Sequence, residues 1–203
     1  MPRAKALAST NGGGATEAGP YRVVLADPPW EYTAWNPKTA QRYVGNQYPT
    51  MTHDAIEALP ISDLAADDCA LFLWATMPCL PQALSVMQAW GFTFKTTAFT
   101  WVKTNRDGTP YMGMGFYTRS NAELCLLGTR GHPKALAHDV RQVIMTPRRE
   151  HSRKPDEIYG RIERLFAGPF IEVFARQAWP GWATYGNETT KFPAQPFLFK
   201  EAM

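Results

Sequence analysis

Cysteine is scarce in this chain, and long apolar runs are absent. The three cysteines, Cys69, Cys79 and Cys125, form no C-x-x-C pair, which argues against a disulfide framework or a zinc-finger spacing. Cys69 and Cys125 lie inside apolar runs and are expected to be reduced core residues of a cytoplasmic protein. No stretch reaches the roughly 20 apolar residues of a membrane-spanning helix. Residues 2–20 hold no apolar segment of the kind a signal peptide needs. His53, His132, His138 and His151 show no metal-ligand spacing, so no metal is expected. An excess of one charge is missing too. The formal net charge is +3, too small for generic polyanion binding, so any nucleic-acid contact must come from local clustering.

What is present suits one domain with a substantial core: 203 residues, 45% of them hydrophobic and 13% aromatic. Residues 1–19, with Gly12-Gly13-Gly14 among small polar residues, read as a disordered tail. Residues 20–188 read as the folded domain. Residues 189–203 form a second tail, apolar enough to dock on the domain or on a partner. Apolar runs of strand length at residues 21–26, 69–75, 93–102, 123–128 and 170–175 predict buried strands, with a shorter candidate at 142–145. Residues 52–59 and 81–90 predict helices, the second ended by Gly91. The strongest helix follows Pro155, where Asp156 and Glu157 suit a positive N-terminus and Ile158, Ile162, Leu165 and Phe166 line one face. Strands alternating with helices predict a doubly wound α/β sheet, whose ligands bind beyond the strands' carboxyl ends.

Asp27-Pro28-Pro29-Trp30 follows the first strand directly. It suits a specific problem, making the exocyclic amine of adenine act as a nucleophile. The amine's lone pair is conjugated into the ring, so its N–H groups must be held to draw those electrons out. The Asp27 carboxylate can accept one N–H, and the Pro28 carbonyl, on a backbone stiffened by proline, can accept the other. Trp30 either offers a face for the base to stack on or simply covers the core.

The tetrad and its surroundings resemble the MT-A 70 kDa subunit family of adenine-N6 methyltransferases. The resemblance runs from Tyr21 to Glu188. It rests on ADPPW at 26–30, YPTM at 48–51, LFLW at 71–74, WVKTN at 101–105, ELCLLGTRG at 123–131, SRKPDEIYGRIERL at 152–165, IEVFAR at 171–176 and GWATYGNE at 181–188. It implies a Rossmann-like class I methyltransferase fold with a mostly parallel sheet, the catalytic motif preceding the cofactor-binding segments. It also implies S-adenosylmethionine as cofactor. By the same resemblance, Asp27, Lys154, Glu172, Arg176, Asn187 and Glu188 lie at the cofactor, and Tyr48 and Glu123 line the pocket for the target adenine. Many family members have glutamine at the position of Glu188, and a carboxylate there still accepts ribose hydroxyls but cannot donate.

Several of these positions have plainer readings. Glu172, mid-strand, needs a partner, either Arg176 or a cofactor hydroxyl. Residues 141–154 carry Arg141, Arg148, Arg149, Arg153 and Lys154 against Glu150 alone. This is either a strip that grips phosphates or a solvated loop. Residues 104–118, with four glycines or prolines and the aromatics Tyr111, Phe116 and Tyr117, read as a mobile loop that either closes over substrate or stacks on a base. The function expected is methyl transfer to adenine N6 in nucleic acid, DNA before RNA, with a homodimer or a partner subunit allowed for and no membrane. Rivals are a methyltransferase for amides or small amines, which typically shows Asn-Pro-Pro-Tyr, and a non-catalytic binding partner with the same fold.

Overall fold

The computed structural model describes residues 20–31, 50–113, 115, 117–150 and 152–186. Both expected tails, together with Tyr48, Asn187 and Glu188, lie outside the described residues. Seven strands form one sheet: β1 (Tyr21–Ala26), β2 (Ala65–Ala75), β3 (Thr93–Thr104), β4 (Ala122–Arg130), β5 (Val143–Pro147), β6 (Phe170–Val173) and β7 (Trp182–Tyr185), in the order β5-β3-β4-β2-β1-β6-β7. β7 is absent from the expectations above, although Gly181 and Gly186 bracket its Trp-Ala-Thr-Tyr.

The sheet is mixed. β1 pairs in parallel with β2 and β6, β6 with β7, and β3 with β5, while β4 runs antiparallel to both its neighbours. Every strand except β4 therefore points the same way. The expectation of a mostly parallel sheet holds, but the winding is broken where β3 returns as β4 without a crossover helix.

Both faces of the central strands are covered, which explains their unbroken apolar sequences. Val24 and Ala26 of β1 and Leu71 and Leu73 of β2 face a core shared with α1 (His53–Glu57) and α2 (Leu80–Ala89). Val23, Leu25, Phe72 and Trp74 face the opposite core, beneath Ile158 and Ile162 of α3 (Glu157–Leu165). The Thr52 hydroxyl caps α1 by accepting from the Ala55 N–H. Gly91, at φ +83°, follows α2 and turns the chain where a residue with Cβ would be strained.

The outer strand β5 is short, and its open edge is partly closed. The Arg161 guanidinium, from α3, donates to the carbonyls of Arg141 and Val143. Pro147, the last residue of β5, has no N–H to offer. Both features discourage pairing with a further strand. Among the described residues no helix is long and apolar enough to cross a membrane.

Candidate active site

Alternation along the strands places the site. On the α3 face, apolar residues give way to polar ones at one edge of the sheet: Leu25 of β1 leads to Asp27, Trp101 to Lys103, and Phe170 to Glu172, while Phe72 leads to the buried Trp74 beneath them. β4 contributes its beginning instead of its end, because it is reversed, so Glu123 arrives at the same edge two residues before buried Cys125. A solvent-open cleft with about 420 Å3 of empty space lies there. Asp27, Trp74, Lys154, Glu172, Phe174 and Arg176 are among its walls.

An alternating line of charge crosses this edge. Lys154 Nζ donates to Asp27 Oδ2 at 2.6 Å and lies 3.4 Å from Glu123 Oε2. The Lys103 ammonium pairs with the other Glu123 oxygen. Trp74 supports the line from below, its ring 5.4 Å from Lys154 Nζ. The Asp27 and Lys154 side chains are only 19% and 14% exposed, so solvent screens the pair weakly.

Burial raises the pKa of Asp27 above the ordinary carboxylate range, although Lys154 opposes the shift and Glu123 adds to it. Burial also works against the charge of Glu123. There the ammonium groups of Lys154 and Lys103 prevail and bring its pKa down to about 2. Glu172 is pushed up to about 7, chiefly by burial. Three carboxylates at one edge thus titrate over different ranges, a pattern associated with functional sites.

Glu172 has a partner that the sequence reading did not name. The Tyr159 hydroxyl of α3 donates to Glu172 Oε2 at 2.8 Å and accepts from Gln177 Nε2 at 3.1 Å. Tyr159 occupies an apolar-face position beside Ile158 and Ile162, so only its hydroxyl, at the end of a buried ring, marked it as a candidate. Lys103 was overlooked as well. Trp101 stands opposite Glu123 in the β3–β4 register, making Lys103 a diagonal neighbour of Glu123. That register depends on where the hairpin turns, which the intervening sequence leaves open.

Several expected roles change. Trp30 is not an open stacking face. It is 5% exposed within the core formed with Val24 and Ile56, and its indole N–H donates to the Trp74 carbonyl at 2.9 Å. Its side chain anchors the tetrad to β2. Its backbone N–H donates to the Pro28 carbonyl at 2.8 Å, leaving that oxygen one further lone pair. Pro29 receives the Met51 N–H at 3.0 Å, so the turn is held from two sides.

Lys154 lies in the segment before α3, which starts at Glu157. Ser152 there has φ +64°, and Phe174, beyond β6, has φ +65°. Both are non-glycine residues in the left-handed region, and both line the cleft, where strained backbone commonly accompanies function. The turn at Phe174 ends β6 early, so Arg176 belongs to the following loop and not to the strand.

The basic strip divides. Arg153 is 6% exposed and faces Glu150, Asp156 and Gln177; burial among these partners removes it from a phosphate-gripping surface. Arg149 pairs with Asp156 at 2.7 Å and stays a quarter exposed. Arg148 is exposed, its guanidinium 4.4 Å from the centre of the Tyr111 ring. Arg106, Arg148 and Arg149 border a wider groove, with about 1830 Å3 of empty space, beyond the ends of β3 and β5. Arg153 separates this groove from the first cleft and lines both.

Comparison with known proteins agrees with this geometry. The MT-A70 family profile matches residues 21–188. Type II methyltransferase M.MunI of Mycoplasma sp is 32% identical over 187 residues, covering 83% of this chain and 77% of that protein. The N(6)-adenosine-methyltransferase MT-A70-like protein of Drosophila melanogaster is 36% identical over 183 residues, and the human N(6)-adenosine-methyltransferase catalytic subunit METTL3 is 36% identical over 180. The chain spans only 28% of the length of each of those two proteins. The matched segment contains the tetrad, the Lys154 segment and β7 together, and the chain belongs to the MT-A70 family.

Proposed function

We propose that this chain transfers a methyl group from S-adenosylmethionine to the N6 amine of adenine in nucleic acid, with DNA preferred over RNA. One observation carries the reading: the Asp27-Pro28-Pro29-Trp30 turn holds a partly buried carboxylate at a cleft, where Lys154 meets it at 2.6 Å. Residues 20–188 are read as the methyltransferase domain, of Rossmann-like class I type, in a cytoplasmic protein. A second copy or another subunit is compatible with it.

The cleft suits the cofactor by the chemistry of its walls. Glu172 offers a carboxylate to hydroxyl donors, while Lys154 and Arg176 offer cations to a carboxylate. Asn187 and Glu188, just beyond the described residues, are proposed to complete this wall. When bound, S-adenosylmethionine supplies an electrophilic methyl on a sulfonium, whose leaving group is neutral.

Asp27 accepts one N–H of the adenine amine, and the free lone pair of the Pro28 carbonyl accepts the other. Once methylated, the amine nitrogen would be more acidic and its proton would need an acceptor. A carboxylate whose pKa is raised by burial is a stronger base than an ordinary one and suits that proton. Lys154 keeps Asp27 ionised until then. Trp30 and Pro29 fix the turn, and preorganised acceptors avoid reorganisation at the moment of reaction. Tyr48 and Glu123 are assigned to the base pocket, where Glu123 also holds Lys154. A base inside a duplex must be extruded at a cost of a few kcal/mol, so unpaired strands should react faster.

The wider groove bordered by Arg106, Arg148 and Arg149 is the proposed path of the sugar-phosphate backbone. Replacing Arg148 and Arg149 together with alanine is expected to weaken oligonucleotide binding. It should also reduce the slope of log affinity against log salt by about 1–2. An unchanged slope would return both residues to plain surface.

The decisive assay presents adenine-containing DNA and RNA, single- and double-stranded, in parallel and measures N6-methyladenine. Methylation of at least one strand type is expected, with DNA ahead. Normal cofactor binding without any methylated product would instead favour a non-catalytic binding partner.

A further inference from the structure

Two carboxylates, Asp27 and Glu123, compete for the one ammonium of Lys154, which is nearer to Asp27, at 2.6 Å against 3.4 Å. The competition is not between equals, because Glu123 has a second cation. The Lys103 ammonium meets Glu123 Oε1, leaving Oε2 to Lys154. Lys103 is itself held in place. It lies 5.0 Å above the Trp101 ring, and the Trp101 indole donates to Thr146 of β5 at 2.9 Å. Two strands, β4 and β2, lie between the strand of Lys103 and the one that leads to Asp27, and Lys103 lines neither groove.

We propose that Lys103 is a positioning residue for Asp27: by neutralising Glu123, it leaves the Lys154 ammonium on Asp27. This rests on the reading of Asp27 as the group that holds the adenine amine, and it goes beyond that reading by adding a residue that never touches substrate. Without the Lys103 charge, Glu123 has more need of Lys154. The ammonium moves toward Glu123, and Asp27, still buried, loses the cation that keeps it ionised.

Other charges face the same place and bear on the outcome. Arg176, beyond β6, lowers the pKa of Asp27 and remains in every variant. Glu172, on β6, is held by Tyr159 of α3. Cys125 of β4 is pushed well above its ordinary pKa, first by burial and then by Asp27, so it stays a neutral thiol. Arg153, next to Lys154, is engaged with Glu150 and Asp156.

The test follows Asp27 directly, through carbon-13 NMR of its side-chain carboxyl over a pH titration. This readout does not depend on the protein being active. In Lys103→Met the Asp27 midpoint is expected to rise by about one pH unit or more, the scale on which an adjacent opposite charge acts. Lys103→Arg should restore it. Lys103→Met combined with Glu123→Gln should leave the midpoint close to that of Glu123→Gln alone, since a neutral residue at position 123 has no claim on Lys154.

With an active enzyme, the acid limb of kcat/KM should move by the same amount. At neutral pH, kcat should fall about tenfold, while KM for S-adenosylmethionine changes less than twofold. An unmoved midpoint in folded Lys103→Met overturns the proposal, as does a shift of equal size in the Glu123→Gln background. If Lys103→Met does not fold, Lys103→Gln is measured in the same way. Failure of both neutral variants to fold, with Lys103→Arg normal, makes Lys103 a stabilising residue and also overturns the proposal. A wild-type protein that methylates no adenine defeats the functional reading instead, and the NMR midpoints still decide the role of Lys103.

Discussion

Asp27→Ala is expected to lower turnover by about 100-fold or more while leaving the protein folded, by analogy with the loss of a preorganised hydrogen-bonding group. The size of the effect follows from the carboxylate's two tasks. On the proposed reading it accepts an amine N–H, drawing the nitrogen lone pair out of conjugation, and takes the departing proton. Folding should be spared. Val23, Val24, Leu25 and Ala26 of β1 are at most 2% exposed and independent of Asp27. A carboxylate whose pKa is raised by burial is also a charge that the fold tolerates at a cost. Lys154 keeps Glu123 as a partner when Asp27 is lost. Asp27→Asn sharpens the test, because it preserves shape and one acceptor oxygen but removes the charge. It should fall between the two. Single-turnover methylation, with melting temperature and cofactor affinity as controls, measures all three proteins. Near-normal turnover in a folded Asp27→Ala protein would end the proposed mechanism.

Lys154→Met should cost a similar factor for a different reason, and its signature is in the pH dependence. Without the ammonium, Asp27 and Glu123 face each other at a buried edge, with Lys103 on the far side of Glu123 and Arg176 still acting on Asp27. Like charges this close resist joint ionisation. Asp27 is the one to take up a proton, since burial already raises its pKa whereas Glu123, held near 2, retains Lys103. A protonated Asp27 no longer accepts an amine N–H with full charge, so turnover near neutral pH should fall by about 100-fold. Part of it should return at higher pH. Lys154→Arg should keep the wild-type limb if its longer, planar head still reaches both oxygens.

Stability should change with a definite sign as well. A carboxylate whose folded pKa exceeds its unfolded value binds a proton on folding, so its contribution to stability declines as pH rises between the two values. Lys154→Met widens that interval for Asp27, and the variant should lose stability relative to wild type as pH increases through it. Below that interval the difference should shrink. Thermal unfolding at several pH values checks this independently of activity. A pH-independent loss of turnover, with no alkaline recovery, would mean that Lys154 acts on a ligand and not through Asp27.

The sequence was informative where chemistry is local. Asp27-Pro28-Pro29-Trp30 announced a turn after a buried strand, and the apolar spacing after Pro155 announced α3. Apolar runs located six of the seven strands because both faces of the central sheet are covered. β7 escaped, being four residues long with only Trp182 buried. The site was less legible wherever it depends on register. The partnership of Lys103 with Glu123 comes from a hairpin whose turn the sequence does not define, and Tyr159 reaches Glu172 only because α3 lies over β6. Trp30 was ambiguous for a related reason: one aromatic residue can stack on a base or fill a core, and only the position of Ile56 and the Trp74 carbonyl decides between them.

The reversal of β4 has a consequence for how such a protein can change its target. Were β4 parallel like the rest, the chain leaving β3 would have to travel to the far end of the sheet before starting the next strand. Because β4 runs back, the connection between β3 and β4 leaves and rejoins the sheet at the edge that holds the site, with one foot beside Lys103 and the other beside Glu123. Residues can be added, removed or exchanged in that hairpin without rerouting the chain or disturbing β1, which leads to Asp27, or the segment before α3 that holds Lys154. On the proposed reading, a change of target at this hairpin leaves the methylating residues on the other strands and before α3 unchanged.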